Sequence, residues 1–100
     1  MMNIVVASPT FFSDLDEKMF FWSLAQNPVV TGFKGVGESI EVQINEGNLD
    51  LESFLSIYAL LKRYCLNCKI LQDFLMLMRE DDVLYLKDGE KIWFEDIFAN

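Results

Sequence analysis

The sequence predicts an α+β fold: an antiparallel sheet with two or three helices packed on one face, in the order β-α-β-β-α-(α)-β-β. Three observations carry that prediction. Residues 39–45 alternate apolar and polar with a period of two, as a half-buried strand must. Residues 13–26 set a capping serine and acids ahead of an unusually apolar run, and the stretch from Asp50 to about Tyr64 carries apolar side chains at helical spacing. Hydrophobic residues make up 52% of the 100, enough for one core to serve both element types, so a single domain spans 1–100. A β-α-β-β-α-β core with an extra C-terminal strand is the preferred topology. That shape names no activity by itself.

In chain order, Asn3 to Ala7 form a short β-branched run stopped by Ser8-Pro9 and read as a buried strand. Phe12 precedes a serine cap and is expected to staple onto the first helical turns. Ser13 offers an acceptor, and Asp16 and Glu17 put negative charge where the helix dipole favours it. The helix body is unusually apolar. Met19, Phe20, Phe21 and Trp22 are consecutive and span about 300° of a helix at roughly 100° per residue. One core face cannot hold them all, so either the fold wraps this helix or some rings face a partner. Asn27-Pro28 ends it, because a residue before proline disfavours helical backbone.

Residues 29–36 read as a second strand, with Gly32 and Gly35 marking a bulge or twist. Gly37-Glu38 turns the chain into 39–45, where Ile40, Val42 and Ile44 point to the core and Ser39, Glu41, Gln43 and Asn45 away. Asn48 or Asp50 caps the next helix, whose stripe is Leu51, Phe54, Leu55, Tyr58 and Leu61. Lys62 and Arg63 suit its C-terminal end, and Leu66-Asn67 breaks it. Residues 68–78 read either as a third helix, with Ile70, Leu71, Phe74, Leu75 and Met78 inside, or as part strand, since Leu75 to Met78 show no clear period. Arg79, Glu80, Asp81 and Asp82 read as a charged turn. Residues 83–87 and 90–94 flank Asp88-Gly89, a link that suits a type I′ hairpin because both its positions need positive φ. Residues 95–100 form a terminal turn with Ile97 and Phe98 tucked back.

Sixteen acids against eight bases and no histidine leave a net charge of −8. Nucleic acid and anionic membrane both need cations facing them, so neither is an expected partner. A basic protein is the favoured one, because complementary fields speed encounter. An acidic surface also serves solubility alone. No apolar run approaches the ~18 residues of a membrane span. The opening MMNIVVASP lacks a basic region, which predicts no signal peptide, and two sparse cysteines suggest a reducing cytoplasm.

No residue set names a reaction. Without histidine, acid–base chemistry falls to carboxylates, Tyr, Lys or Cys. Asp14, Asp16 and Glu17 read as a helix N-terminus and Glu80, Asp81 and Asp82 as a solvated turn; neither group spaces ligands as a calcium loop does. Gly32, Gly35 and Gly37 lie in a hairpin rather than before a helix, so they make no phosphate loop. The chain is expected not to be an enzyme and to use no cofactor or metal. Cys65 and Cys68 form a C-x-x-C. Two thiols without histidine fall short of the four ligands of a structural zinc. Cys65 sits near a helix C-terminus, where the dipole opposes a thiolate, while Cys68 can start the next helix. Two ordinary apolar cysteines are the leading reading, with a redox pair and a shared metal site open equally behind it.

The segment after residue 79 is more suggestive. Glu80, Asp81, Asp82, Asp88, Glu90, Glu95 and Asp96 outnumber its lysines, with Tyr85, Trp93, Phe94 and Phe98 interleaved. Aromatic anchors within an acidic rim suit a basic protein, the rings giving buried area and the carboxylates steering and contacts to Arg or Lys. The expected partner-binding set is Glu80, Asp81, Asp82, Tyr85, Asp88, Glu90, Trp93, Glu95 and Asp96. The same rings also fit plain core positions.

In length, net charge, absence of histidine and the acidic-aromatic segment 80–98, the chain resembles the small acidic immunity proteins of bacterial toxin–immunity systems (contact-dependent inhibition and polymorphic toxins). The stretches SPTFFSDLDEKMFFWSL and KGVGESIEVQI look like small bacterial proteins of that sort. The resemblance implies a one-domain cytoplasmic protein that binds and blocks a basic toxin domain, often a nuclease; it places no motif, so it carries over no functional residues. Two other readings stand beside it. One is a self-associating structural or accessory subunit that dimerises through Phe20, Phe21 and Trp22. The other is a small dithiol redox protein using Cys65 and Cys68.

Overall fold

The period of two in residues 39–44 makes them the middle of the sheet. In the computed structural model, which describes residues 2–99, strand β3 (Ser39–Ile44) lies between β1 (Met2–Ala7) and β2 (Val30–Val36) and runs antiparallel to both. Met1 and Asn100, the outermost positions of the expected domain and terminal turn, fall outside those residues. Ile40, Val42 and Ile44 are buried on one face with Ile4 and Val6, and Phe33 is half-buried there opposite Val42. On the other face Asn3 donates to Glu41 and Lys34 lies 4.0 Å from it, in the open. The first strand is therefore half-buried, with Val5 exposed, not buried throughout as its β-branched run suggests. The register slips between Val30 and Gly32, which is the bulge the glycines announce. Gly37 has φ +62°, as the first position of a two-residue turn of this hand requires.

Because β1 and β2 are parallel and separated by β3, the segment between them must cross the sheet. Helix α1 (Asp14–Gln26) is that crossover. The Ser13 side chain caps it by accepting from the Asp16 backbone N–H, and Asn27 ends it. Helix α2 (Leu51–Arg63), capped by Asp50, packs beside α1 and runs the opposite way. Two polar ties fix that alignment. The Asn27 amide is buried, donating to Ser53 O and accepting from Val29 N, each at 3.1 Å. At the other end the Tyr64 hydroxyl donates to the carboxylate and backbone oxygens of Asp16. Phe12 does not staple inward: it is exposed, and Phe11 takes the inner position against Phe20, Phe21 and Tyr64.

Residues Cys68–Leu77 form successive 3₁₀ turns, helical as the first of the two readings has them but wound more tightly than an α-helix, and not strand. At three residues per turn, side chains three apart eclipse, so Cys68, Leu71 and Phe74 stack in the core. Among the described residues the expected C-terminal strand pair is absent. Glu80–Leu86 is helix α3 and Phe94–Phe98 is helix α4, so the order is β-α-β-β-α followed by helical turns. Three acids in the first turn of α3 suit its dipole, and what read as a charged turn is that helix's start. Asp88-Gly89 links no strands. Among the described residues only Cys65 and Gly37 have positive φ, and the Asp88 carboxylate accepts from Glu90 N to close a local turn.

Candidate partner-binding surface

Helix α3 turns one side to the core and the other to water. Val83 and Leu86 face inward; Glu80, Asp81, Leu84 and Tyr85 face outward, and Asp88 continues that side one turn on. The outward residues are spaced one, three, one and three apart, which is what a short half-buried helix demands. The structure thus brings together Glu80, Asp81, Tyr85 and Asp88 from the expected set. Glu90 follows in the next turn, exposed, and so is Glu95 at the start of α4. Asp82 is half-buried. Arg79 stands 3.8 Å from Asp81 with both side chains largely in water, where such a pair adds little stability. Lys91 sits 4.6 Å over the Tyr85 ring.

Two of the expected residues have internal partners. Trp93 is buried: its indole N–H donates to Leu86 O at 3.0 Å, and its ring packs 5.6 Å from Tyr85. It holds α3 in place from behind. Asp96 accepts from the Tyr58 hydroxyl at 2.7 Å and from the Lys62 ammonium at 3.0 Å. The Tyr58 hydroxyl, and after it Lys62, hold the Asp96 carboxyl below the usual range. Burial first, and Asp96 second, push the Tyr58 hydroxyl up to about 12. These groups join α2 to α4. Sequence reasoning passed over Leu84 and Ile92, large apolar side chains exposed among the acids. Reading 80–86 as a helix marks Leu84 as outward; nothing in the pattern marks Ile92.

The cysteines occupy unlike places. Cys65 is exposed, with φ 60°; Cys68 is buried, its Sγ 3.7 Å from Leu66 O. Burial raises the Cys68 thiol's pKa, so its thiolate is disfavoured. Both border an open cleft of about 390 Å³ together with Lys62, Lys69 and Asp96. No group of three His, Cys, Asp or Glu that could hold a metal occurs among the described residues. A second cleft, of about 400 Å³, runs between α1 and α2 past Trp22, Ser23, Ser56 and Arg63. Of the three α1 rings offered for dimerisation, Phe20 is buried, Phe21 stacks on Phe33 at 5.2 Å, and Trp22 is exposed. No helix among the described residues is long and apolar enough to cross a membrane. Comparison with known proteins finds no matching family model, no similar curated protein and no similar solved structure.

Proposed function

We propose that this chain is a non-catalytic binding protein that occludes a basic protein partner, in the manner of an immunity protein neutralising a toxin. One observation carries the reading. The outward side of α3 and the turn after it set Leu84, Tyr85 and Ile92, all exposed, among the exposed acids Glu80, Asp81, Asp88 and Glu90. Exposed apolar side chains supply area to desolvate, and carboxylates around them supply steering toward Lys and Arg. The net charge of −8 extends that attraction beyond the contact itself. Trp93 supports the surface by holding α3 at Leu86 from the core side.

Affinity capture from the source organism's lysate, eluted with a salt gradient, tests the proposal. The expected result is one basic protein released only at high salt, whose activity is blocked when the chain is added back. The triple change Glu80→Lys, Asp81→Lys and Glu90→Lys should slow association by at least about tenfold at low salt. Capture indifferent to salt, or an unchanged association rate in that variant, removes the reading.

A further inference from the structure

Helix α1 has two apolar sides. Phe20 and Leu24 are buried in the core. The opposite side carries Leu15, Met19 and Trp22, with Phe12 just ahead of the cap. These four are exposed to 90% (Phe12), 66% (Leu15), 55% (Met19) and 65% (Trp22). Within the helix Leu15, Met19 and Trp22 are spaced four and three apart, while Phe12 lies before the extended Ser13 cap. That spacing is the narrow seam by which two helices interlock, not the wider stripe of a helix seated on a core. The Phe12 backbone N–H donates to the Asp16 carboxylate, so the N-terminal end of the seam is tied to the helix.

We propose that α1 is a self-association surface, and that two copies pair these helices antiparallel about a two-fold axis near Glu17. In that register Leu15 of one copy meets Met19 of the other, and Trp22 reaches the end of the second helix where Phe12 precedes the cap, so the seam is filled by apolar side chains. Sliding the pair one layer further along α1 brings Gln26 into the seam. Asp14 and Lys18 lie along one flank of the seam, and the two-fold axis lays each beside its opposite on the second copy. The seam itself holds no carboxylate; Asp14, Asp16 and Glu17 of the first turn stand beside it. At about 200 Å² per ring, the exposed parts of Phe12 and Trp22 give about 300 Å² per copy. Leu15, Met19 and the flanking Ser23 and Gln26 carry the buried total of the pair toward the ~1,200 Å² at which stable interfaces begin. Helix α1 packs on β2 and α2 while α3 rests on Trp93, so the seam and the acidic side of α3 lie on different elements.

Sedimentation equilibrium of the full chain over a rising concentration series tests the proposal, with no partner needed. The expected result is twice the 11.6 kDa chain mass at micromolar concentration. Met19→Glu should weaken association at least about 100-fold. Leu15→Lys should act alike, and both positions are exposed enough for circular dichroism to stay unchanged. In the unsubstituted chain, acrylamide quenching of Trp22 should fall as the dimer forms, while buried Trp93 stays constant. A monomer at several hundred micromolar, or a dimer indifferent to Met19→Glu, overturns the proposal. So does a monomer whose capture of a basic protein is lost in Met19→Glu, which would assign the seam to that partner. Loss of salt-dependent capture on charge reversal at α3, with the dimer intact, bears on the function alone.

Discussion

The first two-thirds of the chain and the last third are held by different forces. From Met2 to Arg63, strands exchange backbone bonds and two regular helices close over them, and side chains alternate as the backbone dictates. From Cys68 to Ala99 there is no ladder. Short helices and 3₁₀ turns are tied by side chains reaching backbone or one another: Trp93 to Leu86 O, Gln72 to Ile97 O at 2.6 Å, and Tyr58 and Lys62 to Asp96. A ladder spreads its stability over many equivalent bonds. A set of single ties concentrates it in a few residues, and the two regions should respond differently when one is cut.

The sharpest cut is Trp93→Ala. Removing a buried tryptophan costs about 3–5 kcal/mol, and Leu86 O loses its donor as well. Native-state hydrogen exchange should show α3 and α4 losing protection first while β1, β3 and β2 retain most of theirs. Equal loss everywhere would mean the two regions unfold as one unit and the contrast is only geometric. Trp93→Phe keeps much of the packing and should cost less.

The same contrast explains which parts of the fold could be read from the residues. Alternation at Ile40, Val42 and Ile44, the Ser13 and Asp50 caps, the break at Asn27-Pro28 and the bulge by Gly32 are all local signals, and each stands in the structure. The last third carried a false local signal. Asp-Gly suits a tight hairpin, yet Asp88 spends its carboxylate on Glu90 N, and Leu86 and Trp93 are drawn to one core from either side. Glu80, Asp81 and Asp82 read as a turn in the sequence, yet their position ahead of Val83 and Leu86 is that of a first helical turn. At the surface, Tyr85 and Trp93 looked alike in sequence. Only packing separates the exposed ring from the buried one.

A gentler cut is Tyr58→Phe, which removes a bond between α2 and α4 but leaves Lys62 on Asp96. It should cost about 0.5–1.5 kcal/mol at neutral pH. The pH dependence gives a second reading. The hydroxyl's pKa is raised from its ordinary 10.0 to about 12 in the fold, so its contribution is full below pH 10 and is lost as pH rises toward 12. The unsubstituted chain should lose stability across that window, and Tyr58→Phe should lose less. The slope left over belongs partly to Tyr64, which burial and Asp16 also raise. Asp96 acts in the opposite sense: its carboxyl is held low, so its share is present above the ordinary carboxylate range and fades on acidification. If Tyr58→Phe leaves the alkaline slope untouched, the tie to Asp96 contributes nothing in solution.

The smallest effect lies at the seam between the two regions, and it should be a gain. Helix α2 ends with Leu66 N donating to Leu61 O at 2.8 Å and Cys65 N to Lys62 O at 3.1 Å. This pair of bonds defines a helix stop that places Cys65, with φ 60°, where glycine fits best. A side chain there is strained by about 1–2 kcal/mol, while glycine adds an unfolded-state entropy cost of about 0.5–1 kcal/mol. Cys65→Gly should therefore raise stability by about 0.5–1 kcal/mol, and Cys65→Ala, which keeps the strain, should change little. Denaturant unfolding of the three chains measures the difference. If glycine instead destabilises while alanine is neutral, the stop is not strained and the junction relies on a stiff backbone at residue 65. If both substitutions destabilise alike, the exposed thiol itself makes a contact, and the cleft it shares with Lys62, Lys69 and Asp96 is where to look for it.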